Sequence, residues 1–158
     1  MEARMNRYAH AIFCDDIRHE DGGKLTLVGV YRNQMLLQAV PVILPRLCAV
    51  VDVVTPLARP FRKLVLEVTL GDLQIARAEI ASDELERLQA TGLRPVDPAE
   101  RDPRFTFSAN FVFSPLRIER TGMLGVRVDI GEEELRANAL RVVATTDPAL
   151  PMASSLRH

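Results

Sequence analysis

The strongest constraint on the fold is a stretch near residue 109 in which every second residue is apolar. Phe105, Phe107, Ala109, Phe111 and Phe113 alternate with threonine, serine, asparagine and valine. A period of two places the alternate side chains on one face of a β-strand. Because this face carries four of the six phenylalanines of the chain, we expect the strand to lie at the centre of the core.

Period-two patterns recur along the chain and predict an all-β fold. Two of them are regular and place on one face Leu64, Leu66, Val68 and Leu70, and Leu124, Val126, Val128 and Ile130. Less regular extended runs cover residues 9–14, 25–31, 35–39, 47–54, 73–80 and 139–144. The run 73–80 changes face between Ile75 and Ala76, which predicts a β-bulge. Glycine, proline and aspartate separate the runs, including a turn at 41–45, so the pattern predicts an antiparallel β-sandwich or a small barrel.

Two segments depart from the strand pattern. Residues 82–89 predict a short helix with Ser82 as its N-cap and Leu85 and Leu88 facing inward. Residues 90–104 contain three prolines and predict a long exposed loop. Residues 132–137 fit either a helical turn or, better in context, a connection between two strands. We expect one domain over residues 1–145 and a loosely held tail over 146–158.

Composition narrows the classes of function. The chain has 158 residues, 47% of them hydrophobic, and a net charge of −1. These values predict one soluble domain and argue against nucleic acid or a membrane as the partner. The charged N-terminus has no signal-peptide core, so we expect a cytoplasmic protein. Cys14 and Cys48 are expected to be buried thiols in a reducing compartment, with a disulfide between neighbouring strands as the alternative.

Several short motifs occur in order in the N-terminal third of the chain. They are Cys14-Asp15-Asp16-Ile17-Arg18, Gly23-Lys24, Gly29-Val30-Tyr31 and Leu44-Pro45-Arg46-Leu47. The sequence resembles an uncharacterised bacterial family that shares CDDIR, GK, GxY and LPxL at similar spacing. This resemblance implies a single immunoglobulin-like β-sandwich, of about 7–9 strands here, and implies no activity. It also marks as a structural motif Cys14, Asp15, Asp16, Arg18, Gly23, Lys24, Gly29, Tyr31 and Pro45.

The densest polar cluster follows the first predicted strand. Asp15, Asp16, His19, Glu20 and Asp21 supply the oxygen and imidazole groups that a divalent cation could use. Their spacing matches no calcium loop and no zinc signature, and such residues are also typical of a turn between strands. We therefore favour a turn and keep a metal-binding module, or a metal-assisted hydrolase, as the alternative.

Asp15 and Asp16 also have a structural interpretation. Aspartate carboxylates accept hydrogen bonds from nearby backbone amides and so fix the end of a strand. Arg18 could pair with either carboxylate or reach another loop. We expect these residues to brace the fold.

Catalytic patterns are missing from the sequence. No GxSxG, GxxxxGK[ST] or GxGxxG motif occurs, and no zinc-binding spacing of Cys and His. His10 and Cys14 share a strand face, but four residues of strand separate them by roughly 13 Å. We therefore expect neither an enzyme nor a cofactor, and the sequence identifies no small-molecule ligand.

Apolar residues on the second face of several strands are the remaining signal. Val28, Val30, Leu36, Val50 and Val54 all have apolar neighbours on the opposite pleat. One face of a sandwich sheet is normally solvated, so we expect a protein partner or self-association to cover part of this surface. The sequence thus favours a binding or assembly module. A structural component of a phage or injection-type particle is a further alternative, by analogy of fold alone.

Overall fold

The structure, a computed structural model, describes residues 6–92 and 98–146. In these ranges strands dominate. The first eight are β1 (Tyr8–Cys14), β2 (Asp16–His19), β3 (Leu25–Val28), β4 (Gln34–Leu37), β5 (Val42–Leu44), β6 (Leu47–Pro56), β7 (Leu64–Leu70) and β8 (Leu73–Ile80). The others, after helix α1 (Ser82–Thr91), are β9 (Arg104–Phe113), β10 (Leu116–Ile118), β11 (Gly122–Asp129), β12 (Glu134–Arg136) and β13 (Leu140–Ala144). The predicted all-β class is confirmed.

Two sheets face each other across one core. The three-stranded sheet has the order β1-β6-β9, and the six-stranded sheet has the order β4-β13-β11-β7-β8, with β12 beside β11. All pairs are antiparallel except β13 with β4, which is parallel. The shared core includes Ala11, Phe13, Ala49, Val51, Val53, Leu66, Val68, Leu124, Val126 and Leu140. An immunoglobulin-like strand order stays a prediction.

The regular alternations predict the inner faces of β7 and β11 correctly. Every apolar residue that the pattern assigns inward on these strands is buried. The predicted bulge is also confirmed, because Val68 lies opposite Ala76 and Thr69 opposite Gln74, which leaves Ile75 as the extra residue. β7 and β11 lie in the interior of the six-stranded sheet, where one face packs on the core.

The phenylalanine-rich strand is not central, which corrects the expectation from its composition. β9 pairs with β6 on one side only among the described residues, so it forms an edge of the three-stranded sheet. Its phenylalanines are half-buried. The centre belongs to β6, whose two faces are both buried; its Val50 and Val54, expected to face outward, are 8% and 6% exposed. Alternation identifies which residues share a face, but only pairing decides the position of a strand.

The hairpin of β2 and β3 covers part of the outer face of the three-stranded sheet. It completes a second small core made of Cys14, Ile17, Cys48 and Val50. Val28, Val30 and Leu36 are 38%, 50% and 57% exposed. These three outward positions are therefore open to a partner, whereas Val50 is not.

Short strands occupy segments that the sequence assigns to turns. β5 lies within the predicted turn 41–45 and pairs with β10, and β2 lies within the polar cluster and pairs with β3. β12 forms part of the connection 132–137 and pairs with β11. Each of these strands has only three or four residues, which is too short for an alternating pattern to be recognised in the sequence.

The helix lies where the sequence predicts it, with different ends. Ala81 is its N-cap residue and makes no side-chain capping bond, so Ser82 is the first helical residue rather than the cap. Leu85 is buried as expected, but Leu88 is 39% exposed. Within residues 6–92 and 98–146, no helix has both the length and the apolar character needed to cross a membrane.

The two predicted irregular segments lie partly outside the described residues. Of the loop 90–104, the first residues belong to α1 and the last begins β9, while residues 93–97 lie outside the described residues. The predicted tail 146–158 lies outside them beyond residue 146.

Candidate functional site

The two aspartates of the CDDIR motif have separate partners. The carboxylate of Asp15 accepts a hydrogen bond from the Tyr31 hydroxyl at 2.8 Å. The carboxylate of Asp16 forms an ion pair with Arg46 at 3.0 Å. The pairing with Asp16 that the sequence suggested for Arg18 is therefore made by Arg46. These contacts connect the end of β1 to the loop after β3 and to the start of β6.

The other acidic residues of the cluster belong to the β2–β3 hairpin. Glu20 accepts a hydrogen bond from the Thr26 hydroxyl at 2.9 Å, while His19, at the end of β2, and Asp21, in the turn after it, are exposed. In the described part of the chain, no three His, Cys, Asp or Glu residues are grouped so that they could hold a metal ion. The cluster therefore runs along strand β2 and into the turn that follows it. The carboxylates of Asp15, Asp16 and Glu20 each have a different partner.

The remaining motif residues also lie in connections. Gly23 has a φ of 76° in the turn at the tip of the hairpin, and the carbonyl of Lys24 accepts the Glu20 amide at 2.9 Å. The carbonyl of Pro45 accepts the Ser114 hydroxyl at 3.1 Å. These contacts place the motif residues at or beside strand ends.

The backbone conformation at position 29 explains why the GVY motif begins with glycine. Its φ is 67°, a conformation that disfavours residues with a side chain. A Cβ at this position would also come within 2.7 Å of the Asp15 Cγ. Two residues later, the Tyr31 amide donates to the Phe13 carbonyl at 2.9 Å. Burial, followed by the hydrogen bond to Asp15, raises the pKa of Tyr31 to about 12.

The two cysteines lie directly opposite each other on β1 and β6. Both are buried free thiols. The Cys14 thiol donates to the Asp16 carbonyl at 3.4 Å, and burial is the main cause that raises the pKa of Cys14 to about 11. Because the thiolate is the reactive form, this environment suits a packing residue rather than a nucleophile.

The register also forms a row of Ser, Asp and His that the sequence did not reveal. On the outer face of the three-stranded sheet, Asp52 lies opposite His10 on one side and Ser108 on the other. The Ser108 hydroxyl donates to the Asp52 carboxylate at 2.5 Å. A catalytic triad needs histidine between serine and aspartate. Here two strand spacings separate His10 from Ser108 by roughly 9–10 Å, so histidine cannot take the serine proton.

A cavity of about 640 Å³ lies between α1 and the start of β9. Its floor includes Phe61 and Phe105, whose rings meet edge to face at 6.4 Å. The side-chain amide of Gln89 is engaged in two hydrogen bonds, because it accepts from the Phe61 amide and donates to the Phe61 carbonyl. Ser82 and Glu86, which also line the cavity, are exposed. The cavity thus offers apolar contact but no paired nucleophile and base.

The two edges of the three-stranded sheet differ. At the β1 edge, the side chain of Asn138 accepts the Ala11 amide at 2.8 Å and donates to the Ala11 carbonyl at 2.7 Å. The Tyr31 amide satisfies the Phe13 carbonyl farther along the same edge. These bonds occupy positions that another strand would use, so the β1 edge is closed at Ala11 and at the Phe13 carbonyl.

Among residues 6–92 and 98–146 nothing pairs with the β9 edge, which we call the open edge, and the register identifies the backbone groups that it presents. Along an antiparallel strand, the backbone N–H and C=O groups of successive residues point alternately toward one neighbouring strand and toward the opposite side. The backbone N–H and C=O of Ala11 point away from β6. The same groups of Val51, which lies opposite Ala11, must therefore point away from β1 and bond to β9, where Val51 lies opposite Ala109. Ala109 therefore bonds to β6, and the backbone groups that point outward belong to Thr106, Ser108, Asn110 and Val112. No described strand lies on that side.

These observations define the class: an all-β protein in which two main sheets enclose the core, and among the described residues the three-stranded sheet has one closed edge and one open edge. The chain belongs to the family of unknown function DUF6941, whose model matches residues 9–143. This finding confirms the resemblance to an uncharacterised family. No curated protein and no solved structure matches the chain.

Proposed function

We propose that this protein is a non-enzymatic binding module that takes up a protein partner at the open edge of β9. The observation that carries the proposal is the contrast between the two edges of one sheet. An unpaired strand edge templates the addition of another strand, and proteins usually protect such edges with lysine, proline or a covering segment. Over Arg104–Phe113 the sequence has no lysine, proline or acidic residue.

The chemistry of the edge indicates what kind of segment it takes. Main-chain groups that point outward bind an extended segment by strand addition, and alternate side chains give selectivity. The half-buried phenylalanines of β9 favour a segment with apolar residues at every second position. Arg104 is the only charged residue of the strand, so an uncharged segment fits best. The net charge of −1 agrees with recognition that does not depend on a charged field.

Other features support the non-enzymatic part of the proposal. Asp52 separates His10 from Ser108, and the raised pKa of Cys14 disfavours its nucleophilic form. The buried free thiols suit a reducing compartment, which supports a cytoplasmic location.

The test compares two substitutions at one position. The Asn110 amide points away from β6, so Asn110→Pro removes an outward donor without removing a bond inside the chain. Asn110→Ala removes the side chain and keeps the donor, which makes it the matched control. Far-UV circular dichroism and the melting temperature establish that both variants fold.

Binding is read from tagged protein recovered from its native host and from its mass in solution. We expect the wild type and Asn110→Ala to retain the same partner, whether another protein or a second copy, and Asn110→Pro to lose it. Equal recovery by all three proteins, or a monomeric wild type without a partner, would overturn the proposal.

A further inference from the structure

The sequence of β9 is nearly palindromic about Ala109. Phe107 and Phe111 lie two residues to either side, and Phe105 and Phe113 lie four residues away. The residues between them follow the same symmetry, with small polar Ser108 and Asn110 next to the centre and β-branched Thr106 and Val112 beyond them. When two copies of a strand pair antiparallel about a two-fold axis, residues at equal distances on either side of the central residue lie opposite each other.

We propose that the β9 edge pairs with the β9 edge of a second copy, antiparallel, with the two-fold axis at Ala109. The pairing joins two three-stranded sheets into one continuous sheet of six strands. Self-pairing identifies a second copy as the partner of the open edge, and the inference therefore rests on the proposed function. A two-fold interface uses the same patch on both subunits, which is what a palindromic strand provides.

The backbone groups match in this register. Ser108 lies opposite Asn110 of the second copy, and Thr106 lies opposite Val112 of the second copy, each pair occurring twice by symmetry. All four residues present their N–H and C=O groups at the open edge. Residues of a hydrogen-bonded antiparallel pair exchange two bonds, so every outward group between Thr106 and Val112 finds a partner.

The side chains match as well. Phe107 meets Phe111 of the second copy, and Phe105 meets Phe113 of the second copy, on the inner face. Aromatic pairs across neighbouring strands stabilise a sheet beyond the area that they bury. The phenylalanines are half-buried in the single chain, so the pairing removes more of their surface from water. Ala109 at the axis meets its own copy without steric conflict.

Charge and register both favour this axis. Arg104 and its symmetry mate lie at opposite ends of the paired strands, roughly 33 Å apart, so they do not repel each other across the interface. An axis at Ser108 would place Phe107 opposite alanine, and an axis at Asn110 would do the same to Phe111. Only the axis at Ala109 aligns all four phenylalanines.

The test uses charges that depend on the register. Ser108→Lys/Asn110→Lys places lysine opposite lysine at both positions. Ser108→Lys/Asn110→Glu places lysine opposite glutamate with the axis at Ala109, whereas with the axis at Ser108 it places lysine opposite lysine. Both residues are exposed, so both variants are expected to fold, and circular dichroism with thermal melting checks this.

Light scattering over a concentration series gives the mass. We expect a wild-type dimer of twice 17.6 kDa, dimerisation weakened about tenfold or more in the Lys/Lys variant, and a dimer again in the Lys/Glu variant. A dimer unaffected by Lys/Lys, or a Lys/Glu variant as weak as Lys/Lys, would overturn the register. A monomeric wild type that still loses a captured protein on Asn110→Pro would overturn self-pairing and leave the proposed function standing.

Discussion

At Ala11 the closure of the β1 edge depends on one side chain, Asn138, and its removal gives a measurable prediction. Asn138 holds both backbone groups of Ala11, a residue that is 1% exposed, through bonds of 2.8 Å and 2.7 Å. Its amide thus acts as a single peptide unit of a missing strand. Asn138→Ala removes the acceptor and the donor together and leaves the Ala11 groups without a protein partner.

The expected cost follows from these two bonds. A hydrogen bond contributes about 1 kcal/mol net, and a buried group left unsatisfied costs somewhat more. Asn138 itself is exposed, so water can replace part of the loss. We therefore expect the free energy of unfolding to fall by about 1–2 kcal/mol, which lowers the melting temperature by about 2–8 °C for a chain of this size.

Urea unfolding of the wild type and of two variants measures this loss. Asn138→Asp is the matched control, because it keeps the acceptor and replaces the donor with a carboxylate that faces the Ala11 carbonyl. At neutral pH it should also destabilise the fold, and below about pH 4 the protonated carboxyl can donate, so its deficit should shrink. A loss below about 0.3 kcal/mol for Asn138→Ala would refute the reasoning.

Two further predictions follow from the raised pKa values. Because the pKa of Cys14 rises from 9.0 to about 11, its alkylation by iodoacetamide at pH 7.5 should be about 100-fold slower in the folded than in the unfolded protein; equal rates would contradict its burial. The Tyr31 pKa is raised above its unfolded value, so its contribution to stability is present below about pH 10 and is lost as the pH rises toward 12. Tyr31→Phe should cost about 1 kcal/mol at pH 8 and less at pH 11 by urea unfolding; a cost independent of pH would exclude the bond to Asp15.

Local alternation predicts what each strand buries but not where the strand lies. The inner face of β11 is readable because Leu124, Val126 and Val128 repeat every second residue over a long strand. β9 has an equally clear pattern and still lies at an edge. Its position depends on β6, which is apolar on both faces and therefore takes the centre.

The sequence also does not predict which edge of the three-stranded sheet is open and which is closed. Asn138 lies 127 residues from Ala11, and no local pattern connects them. The row of His10, Asp52 and Ser108 likewise exists only through the register of three strands. The palindrome about Ala109 is visible in the sequence, but its meaning depends on β9 being an edge strand.

Amide hydrogen exchange at β9, followed by NMR at a low and a high protein concentration, tests the central claim most directly. The Ala109 amide bonds to β6 and should exchange slowly at both concentrations. We predict that the amides of Ser108 and Asn110 exchange rapidly in the dilute protein and become protected at high concentration, when the open edge pairs with a second copy. Rapid exchange of these two amides at every concentration, with Ala109 protected throughout, would contradict self-pairing at this edge. Slow exchange of both in a monomer would show that the edge is not open.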